Sequence, residues 1–186
     1  MEQHQLSSQT EIQSDAGAPA VRLSDRWFAI STRSRHEKRV AQQLRERAVE
    51  TFLPTYHTMR RWADRTKMVT LPLFPGYVFV RILSSERLRI LKLPGVVRFV
   101  GFGGNPAPVS NAEIETLQRV LKSPTSIEPH PYLKVGCRVR VKAGPLHGAE
   151  GILRRKKGVK RLVLSLDLIM RSIAVEVSAA DVYEVQ

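Results

Sequence analysis

The segment Phe74-Pro75-Gly76-Tyr77, followed at once by the apolar residues 78–80, constrains this chain more than any other feature. A Pro-Gly pair predicts a tight turn, because proline presets φ and glycine tolerates positive φ. The residues after the turn predict a strand on which Tyr77 and Phe79, two positions apart, face the same side. Large aromatic side chains arranged in this way are either core residues or a docking surface for another protein.

The charge of the chain narrows the class of partner. Lys and Arg number 30 against 17 Asp and Glu, which gives a formal net charge of +13. Eighteen of the basic residues lie between residues 26 and 122, together with seven acidic ones. A positive field of this size predicts a polyanionic neighbour such as DNA, RNA or a nucleoprotein machine, and the alternative is a merely soluble basic protein.

Several classes of protein are disfavoured by what the sequence lacks. The single Cys137 cannot form an internal disulfide and fits a reducing cytoplasm. No apolar run is long enough for a membrane span, and the N-terminus has no signal-peptide stretch, so we expect a cytoplasmic protein without membrane contact. Neither a catalytic constellation nor a phosphate-binding glycine loop is present, and the five histidines lack metal-ligand spacing. We therefore expect no enzyme activity, no metal and no cofactor.

Composition divides the chain into four parts. Residues 1–25 are rich in Gln, Ser, Ala and Glu without an apolar period, which predicts a disordered tail. Residues 26–122 form a first domain. Three spaced prolines in residues 123–132 predict an extended linker, because proline hinders both helix and sheet. Residues 133–186 form a second domain.

The first domain is predicted as a small α+β sandwich with an antiparallel sheet, similar to an RNA-recognition-motif layout, in the order β-α-β-β-α-β-α. Its first helix is expected to begin with a capping box between Ser34 and Glu37, and its last helix with a second box between Ser110 and Glu113. The second domain alternates apolar and basic residues in short strands separated by turns. This pattern predicts a small β-barrel, with Cys137 in phase with Val139 to fill the interior.

Together these features resemble the NusG family of transcription elongation factors, from about Trp27 to the C-terminus. Three motifs carry the resemblance: the tryptophan strand with the basic helix WFAISTRSRHEKRVAQQL, the segment LFPGYVFV followed later by LPGVVRFVGFGGNPAPVS, and the KOW signature VRVKAGPLHGAEGIL. The second domain is then a KOW, SH3-like barrel. The chain looks closest to the specialised antiterminators of the UpxY, RfaH and LoaP type. Residues 169–171, Ile-Met-Arg, stand where the housekeeping protein has an aromatic-Gly-Arg tip.

The resemblance implies a factor that binds RNA polymerase across its cleft, holding the clamp helices through an apolar groove of the first domain. It also implies suppression of pausing or termination, on particular operons for the specialised branch, by a monomer. The residues matched to the polymerase-binding groove or its flank are Phe74, Tyr77, Phe79 and Pro108. The competing interpretation of the aromatic residues is that they face the helices of their own domain.

The basic helix and its preceding loop are expected to lie near upstream or non-template DNA. A second basic patch follows in the polar stretch 60–67, which could contact DNA or polymerase, and a solvated surface is the alternative for both patches. The predicted nucleic-acid-binding residues are Arg33, Arg35, His36, Arg39, Arg60 and Arg61.

The KOW barrel of relatives is an adaptor that contacts a small-subunit ribosomal protein or the termination factor Rho. Leu146, Ile169 and Met170 are the predicted contacts, unless they pack into the barrel. Two further functions stay open from the sequence: a housekeeping factor that couples polymerase to Rho or the ribosome, and a ribosome-associated RNA-binding KOW protein.

Overall fold

The computed structural model describes residues 25–132, 136–156 and 159–185. The predicted disordered tail, apart from its last residue, lies outside the described residues, as does the predicted start of the second domain at residue 133. No helix among the described residues is both long and apolar enough to span a bilayer.

The N-terminal unit alternates strands and helices in the predicted manner, with additional short strands. Its elements are β1 (Arg26–Thr32), α1 (Glu37–Arg45), β2 (Glu50–Phe52), β3 (Thr55–Arg61), β4 (Thr66–Pro72), β5 (Tyr77–Ile82), α2 (Arg87–Leu91), β6 (Val96–Phe99), β7 (Gly101–Phe102), β8 (Asn105–Pro106), β9 (Pro108–Val109) and α3 (Asn111–Lys122).

An antiparallel sheet in the order β2-β5-β1-β6, with β9 beside β1, forms the centre of this unit and confirms the predicted α+β class. Alternation along β1 sends Phe28 and Ile30 to one face of the sheet, where they pack with Val40 and Leu44 of α1. Trp27 and its same-face neighbours point to the other face, where α3 contributes Ile114, Leu117 and Val120 to the same apolar cluster.

The two predicted capping boxes have different outcomes. Ser110 and Glu113 form theirs at the start of α3, where the Glu113 carboxylate accepts from the Ser110 N–H at 3.1 Å. The box predicted for Ser34 and Glu37 is wrong. Arg35 adopts a left-handed conformation, with φ of 62°, and His36 becomes the N-cap of α1 without a capping side chain.

The C-terminal unit is all-β apart from short 3-10 turns, as predicted. Its six antiparallel strands follow the order β10-β14-β13-β12-β11-β15. The strands are β10 (Ile127–His130), β11 (Arg138–Val141), β12 (Glu150–Lys156), β13 (Val159–Leu166), β14 (Arg171–Glu176) and β15 (Val182–Glu184).

Two expectations for this part of the chain are wrong. Residues 127–130 were expected in the linker, but they form β10 and pair with β14. Pro129 has no N–H to donate, and it is tolerated in this strand because β10 lies at the edge of the sheet. Cys137 is exposed instead of filling the interior. It precedes the first residue of β11, so the inward alternation of Val139 and Val141 does not extend to it.

Helix α3 joins the two units. Its Leu117 belongs to one continuous apolar cluster with Leu164 and Leu166 of β13. The Arg119 guanidinium donates to the His147 carbonyl at 2.9 Å, and a cavity of about 230 Å³ lies between α3 and β13. The core of the N-terminal sheet is therefore continuous with that of the C-terminal unit.

Candidate functional site

The turn before β5 has the geometry that its Pro-Gly pair predicts. The Tyr77 N–H donates to the Phe74 carbonyl at 3.2 Å, and Gly76 has φ of 84°. A positive φ at the third residue of a turn whose second residue is proline is typical of a type II turn, which favours glycine at this position. The Thr32 N–H donates to the Gly76 carbonyl at 2.8 Å and so ties the turn to the end of β1.

The same turn is held by the first residue of the basic helix. Glu37 is buried, and its Oε1 accepts a hydrogen bond from the Gly76 N–H. A buried carboxylate is stable when charge-assisted hydrogen bonds of this kind replace water. The N-terminus of α1 and the turn before Tyr77 are consequently one structural unit.

Two of the predicted polymerase-binding aromatic residues are core residues. Phe74 is 1% exposed and Phe79 is fully buried, with their rings in edge-to-face contact at 6.0 Å between centroids. Phe52 continues the cluster at 6.0 Å from Phe79 and reaches Trp27 at 6.5 Å. Phe74 and Phe79 therefore do not form the exposed ridge that the sequence predicts, because their own fold and α3 cover that face.

The strand register separates the other two predicted residues. Tyr77 pairs with Ser31, and Phe79 pairs with Ala29, so Tyr77 lies on the α3 face of the sheet and is half-buried there. Pro108 pairs with Phe28, whose side chain points to the α1 face. Pro108 is exposed but does not flank Tyr77, because opposing residues in a ladder share a face.

Two residues that sequence reasoning missed lie with Tyr77. Phe52 in β2 and Tyr56 at the base of β3 are half-buried and pack against the apolar cluster to which Tyr77 also belongs. Phe52 pairs directly with Phe79 in the sheet. Its aromatic character was the available signal, but its position beside β5 depends on strand pairing, which the sequence does not specify locally.

The predicted basic residues of the first patch gather at the start of α1. Arg33, Arg35 and Arg39 are exposed, and His36 is half-buried with its Nδ1 2.9 Å from the Ser34 carbonyl oxygen. The Arg33 N–H donates to the Gly95 carbonyl at 2.8 Å, which anchors the loop that carries the arginines. The backbone of the loop is therefore held in place, while the side chains of these arginines are exposed at the surface.

The second basic patch lies on a two-stranded ribbon that the sequence did not predict. Strands β3 and β4 pair only with each other among the described residues, and Arg60 and Arg61 are exposed near the tip. Lys38 of α1 donates to the Thr70 carbonyl of β4 at 2.8 Å. The Thr70 hydroxyl is in turn 3.0 Å from His57 Nδ1. The Lys38 contact joins the ribbon to α1, whereas the His57 contact lies within the ribbon. The ribbon that carries the second patch is therefore bonded to the helix that carries the first.

The predicted adaptor contacts are mostly internal. Leu146 is 5% exposed and Ile169 is 4% exposed, because both pack into the apolar cluster of the C-terminal unit. Met170 is 62% exposed and adopts a left-handed conformation, with φ of 49°. Met170 is therefore the one member of the three that could contact a partner without rearrangement.

One ionisable group with a shifted pKa, Glu113, lies where α3 meets the C-terminal unit. Burial raises the pKa of Glu113, its hydrogen bond from Ser110 lowers it, and the nearby Asp167 charge raises it further. The described part of the chain contains no group of His, Cys, Asp and Glu residues arranged to hold a metal ion.

Comparison with known proteins agrees with this architecture. The family model described as "Transcription termination factor nusG" matches residues 25–118. The transcription termination/antitermination protein NusG of Vibrio vulnificus is 30% identical, over 84% of this chain and 94% of its own length. NusG of Helicobacter pylori strain J99 is 30% identical over 64% of this chain and 74% of its own length.

Among solved structures, one titled "Domain interaction in Thermotoga maritima NusG" aligns with a TM-score of 0.56 at 21% identity, covering 87% of this chain and 98% of that chain. This likeness supports the fold. The family match and the extent of the Vibrio alignment establish that the chain belongs to the NusG family of transcription factors.

Proposed function

We propose that this protein is an operon-specific antitermination factor that binds RNA polymerase across its cleft and suppresses pausing or termination. Membership of the NusG family supports a role in transcription. The basic patches of α1 and the β3–β4 ribbon supply a surface for the nucleic acid that polymerase carries.

The polymerase anchor in this proposal is Tyr77 together with Phe52 and Tyr56. All three are half-buried, so each exposes part of a ring to a partner while the remainder is fixed by packing. Phe79 contacts the Phe52 ring from the core, at 6.0 Å between centroids, and Phe74 belongs to the same buried cluster. A buried aromatic anchor is worth about 2 kcal/mol or more in an interface, and the clamp helices are the proposed partner.

The nucleic-acid surface is the cluster of Arg33, Arg35 and Arg39 with Arg60 and Arg61 of the ribbon. His36, at the start of α1, belongs to the same surface. Arginine contacts to phosphate would position upstream or non-template DNA, whereas a contact to a guanine edge would add sequence preference. The link through Lys38 and Thr70 supports simultaneous use of both patches.

Met170 is the observation that carries the operon-specific part of the proposal. The residue exposes its side chain from a left-handed backbone position, which favours glycine. The housekeeping pattern has glycine in this tip. A methionine held there despite its backbone cost favours an adaptor contact that differs from the housekeeping one, and a small-subunit ribosomal protein is the proposed partner.

The mechanism follows from binding one state of the polymerase better than another. A factor that bridges the cleft stabilises the closed, elongating enzyme relative to the paused or opened one. Only a difference in affinity between these states can shift the equilibrium, so the anchor must be most complementary to the closed cleft.

In vitro transcription tests this proposal. Two templates are needed, one carrying the leader of the operon adjacent to the gene of this protein and one carrying an unrelated leader, each followed by the same terminator. We expect the full chain to increase readthrough on the first template alone, with Tyr77→Ala reducing the effect. Equal readthrough on both templates, or increased termination with Rho, would indicate a general factor instead.

A further inference from the structure

We propose that the tip of the β3–β4 ribbon enters a groove of duplex DNA and that Trp62 contacts the bases there. The proposal rests on the nucleic-acid role of the basic surface described above. It adds an apolar contact to a surface that has so far been described only by its charges.

The shape of the ribbon fits a groove. Its seven registered pairs run from Thr55 opposite Pro72 to Arg61 opposite Thr66, a length of about 20 Å at roughly 3.3 Å per residue. The Trp62 N–H donates to the Arg65 carbonyl at 2.8 Å and closes the tip. Every residue from 59 to 68 is exposed. A two-stranded ribbon that stands clear of the fold has the width that the major groove of B-DNA admits.

The charge of the tip matches a polyanion. Residues 59–68 contain four basic side chains and one acidic one, Asp64. The basic residues are Arg60, Arg61, Arg65 and Lys67. Asp64 lies 3.6 Å from Arg65 in a pair whose side chains are both exposed, so it offsets only one of the four cations. Water screens such a surface pair strongly, and a phosphate can replace the carboxylate at little cost.

The apolar residues distinguish the tip from a simple basic loop. Met59 and Met68 are opposite each other in the ladder and are 60% and 63% exposed. Trp62, in the loop that closes the tip, is 46% exposed. Large apolar side chains among cations are unfavourable in water unless a partner covers them, and proteins that bend or probe duplex DNA use such side chains as wedges against base steps.

A duplex fits this geometry better than a single strand. Single-strand binding proteins offer a charged concave groove along which bases stack on aromatic residues. The ribbon is the opposite shape, a projection with cations on both of its faces. Arg60 and Lys67 share one face, and Arg61 lies on the other, so a ribbon inside a groove would place cations toward both phosphate backbones.

Tryptophan fluorescence offers a direct test, because the chain has only two tryptophans and Trp27 is 4% exposed. The full-length protein is titrated at low salt with a duplex of about 20 base pairs, longer than the ribbon at one phosphate per about 1.7 Å of axis. A single strand of the same sequence is titrated in parallel. We expect the duplex to quench Trp62 saturably and to bind more tightly than the single strand.

Two variants separate the apolar contact from the charges. Trp62→Ala is expected to weaken duplex binding about tenfold, in line with the loss of one base contact. Phe102→Ala, which removes another ring that is 75% exposed but lies on β7, is the matched control and should bind as the unmodified protein does. Trp62→Phe should abolish the quenching, because the remaining Trp27 is buried.

Each contrary result has a distinct meaning. One contrary result is that Trp62→Ala binds normally and that the duplex does not change the Trp62 fluorescence of the unmodified protein. If charge reversal at Arg60 and Arg61 still weakens binding, the apolar contact is wrong, but the nucleic-acid role of the basic surface is supported. Tighter binding of the single strand would overturn the choice of ligand. Absence of salt-sensitive binding to either nucleic acid would overturn both the inference and the proposed nucleic-acid surface.

Discussion

The carboxylate of Glu37 and the backbone N–H of Gly76 are 2.7 Å apart, although 39 positions separate them in the chain. This hydrogen bond holds the start of the basic helix α1 against the turn that leads into Tyr77. The proposed polymerase anchor and the proposed DNA-facing arginines are thus fixed relative to each other by one buried contact. Such rigidity favours simultaneous binding to a protein and to its nucleic acid, because fewer side chains and loops lose conformational freedom when the complex forms.

Removing this carboxylate should destabilise the fold. We expect Glu37→Ala to lower the free energy of unfolding by about 1–3 kcal/mol, since a buried N–H loses its acceptor. Glu37→Gln keeps an acceptor oxygen and should cost less. Urea denaturation of the full chain measures both, with the exposed Glu115→Ala as control. An equal loss for the alanine and glutamine variants would contradict the role given to the hydrogen bond.

Gly76→Ala isolates the backbone requirement of the turn. A Cβ at this position would meet no atom within 4 Å, so the expected cost comes from the positive φ alone. We expect a loss of about 1–2 kcal/mol in the free energy of unfolding. Gly76→Asn should lose less, because asparagine tolerates the left-handed region better. A more stable alanine variant would show that the turn does not require this conformation.

Charge reversal at the start of α1 should discriminate between nucleic acid and protein partners. We expect Arg35→Glu with Arg39→Glu to reduce affinity for a DNA-bearing elongation complex about tenfold at low salt, through lost phosphate contacts. Binding to polymerase without DNA should change less. Lys122→Glu, at the exposed end of α3, is the charge-matched control. Equal losses on both forms of polymerase would instead identify a protein contact.

Stability should depend on pH through Glu113. Its pKa lies above the ordinary value of 4.5, first because of burial. The folded state therefore binds a proton more tightly than the unfolded state does, and this contribution to stability is present below pH 4.5 and is lost as pH rises through the raised pKa. Glu113→Gln should flatten this part of the profile. The measurement is the melting temperature of both proteins from pH 4 upward, in steps of about one pH unit. Identical profiles of melting temperature against pH would exclude Glu113 as the source of the pH dependence.

Local signals in the sequence were sufficient for much of the fold. The Ser110 and Glu113 pair specified the start of α3, and the Pro-Gly pair specified the turn before β5, because both depend on contacts within four residues. The strands of the C-terminal unit were similarly readable from their alternation. The α1 cap failed because Glu37 is engaged by Gly76, a long-range partner that no local pattern reveals.

The β3–β4 ribbon shows a second limit. Its residues near the tip are exposed on both faces, so there is no alternation of apolar and polar residues to indicate a strand. The sequence did reveal the cations of this segment and suggested a binding role. It could not reveal that the segment forms a ribbon, because two strands that bury neither face need no particular pattern of apolar residues.

The candidate site depended on register and tertiary packing. The sequence does not distinguish Phe74 and Phe79 from aromatic residues that are exposed to bind a partner. In the fold, α3 and Phe52 cover them. Pro108 is on the opposite face from Tyr77 because of the register of β9 with β1. Leu146 and Ile169 lie in turns, where the sequence suggested exposure, yet both pack inward.

The affinity of the full-length chain for RNA polymerase elongation complexes is the most direct test of the proposed anchor. Tyr77→Ala should weaken binding by about 2 kcal/mol, roughly thirtyfold, while circular dichroism shows an intact fold. Pro108→Ala, on the opposite face of the same sheet, should bind as the unmodified protein does. Unchanged affinity for folded Tyr77→Ala, or equal losses for the two variants, would contradict an anchor on the Tyr77 face.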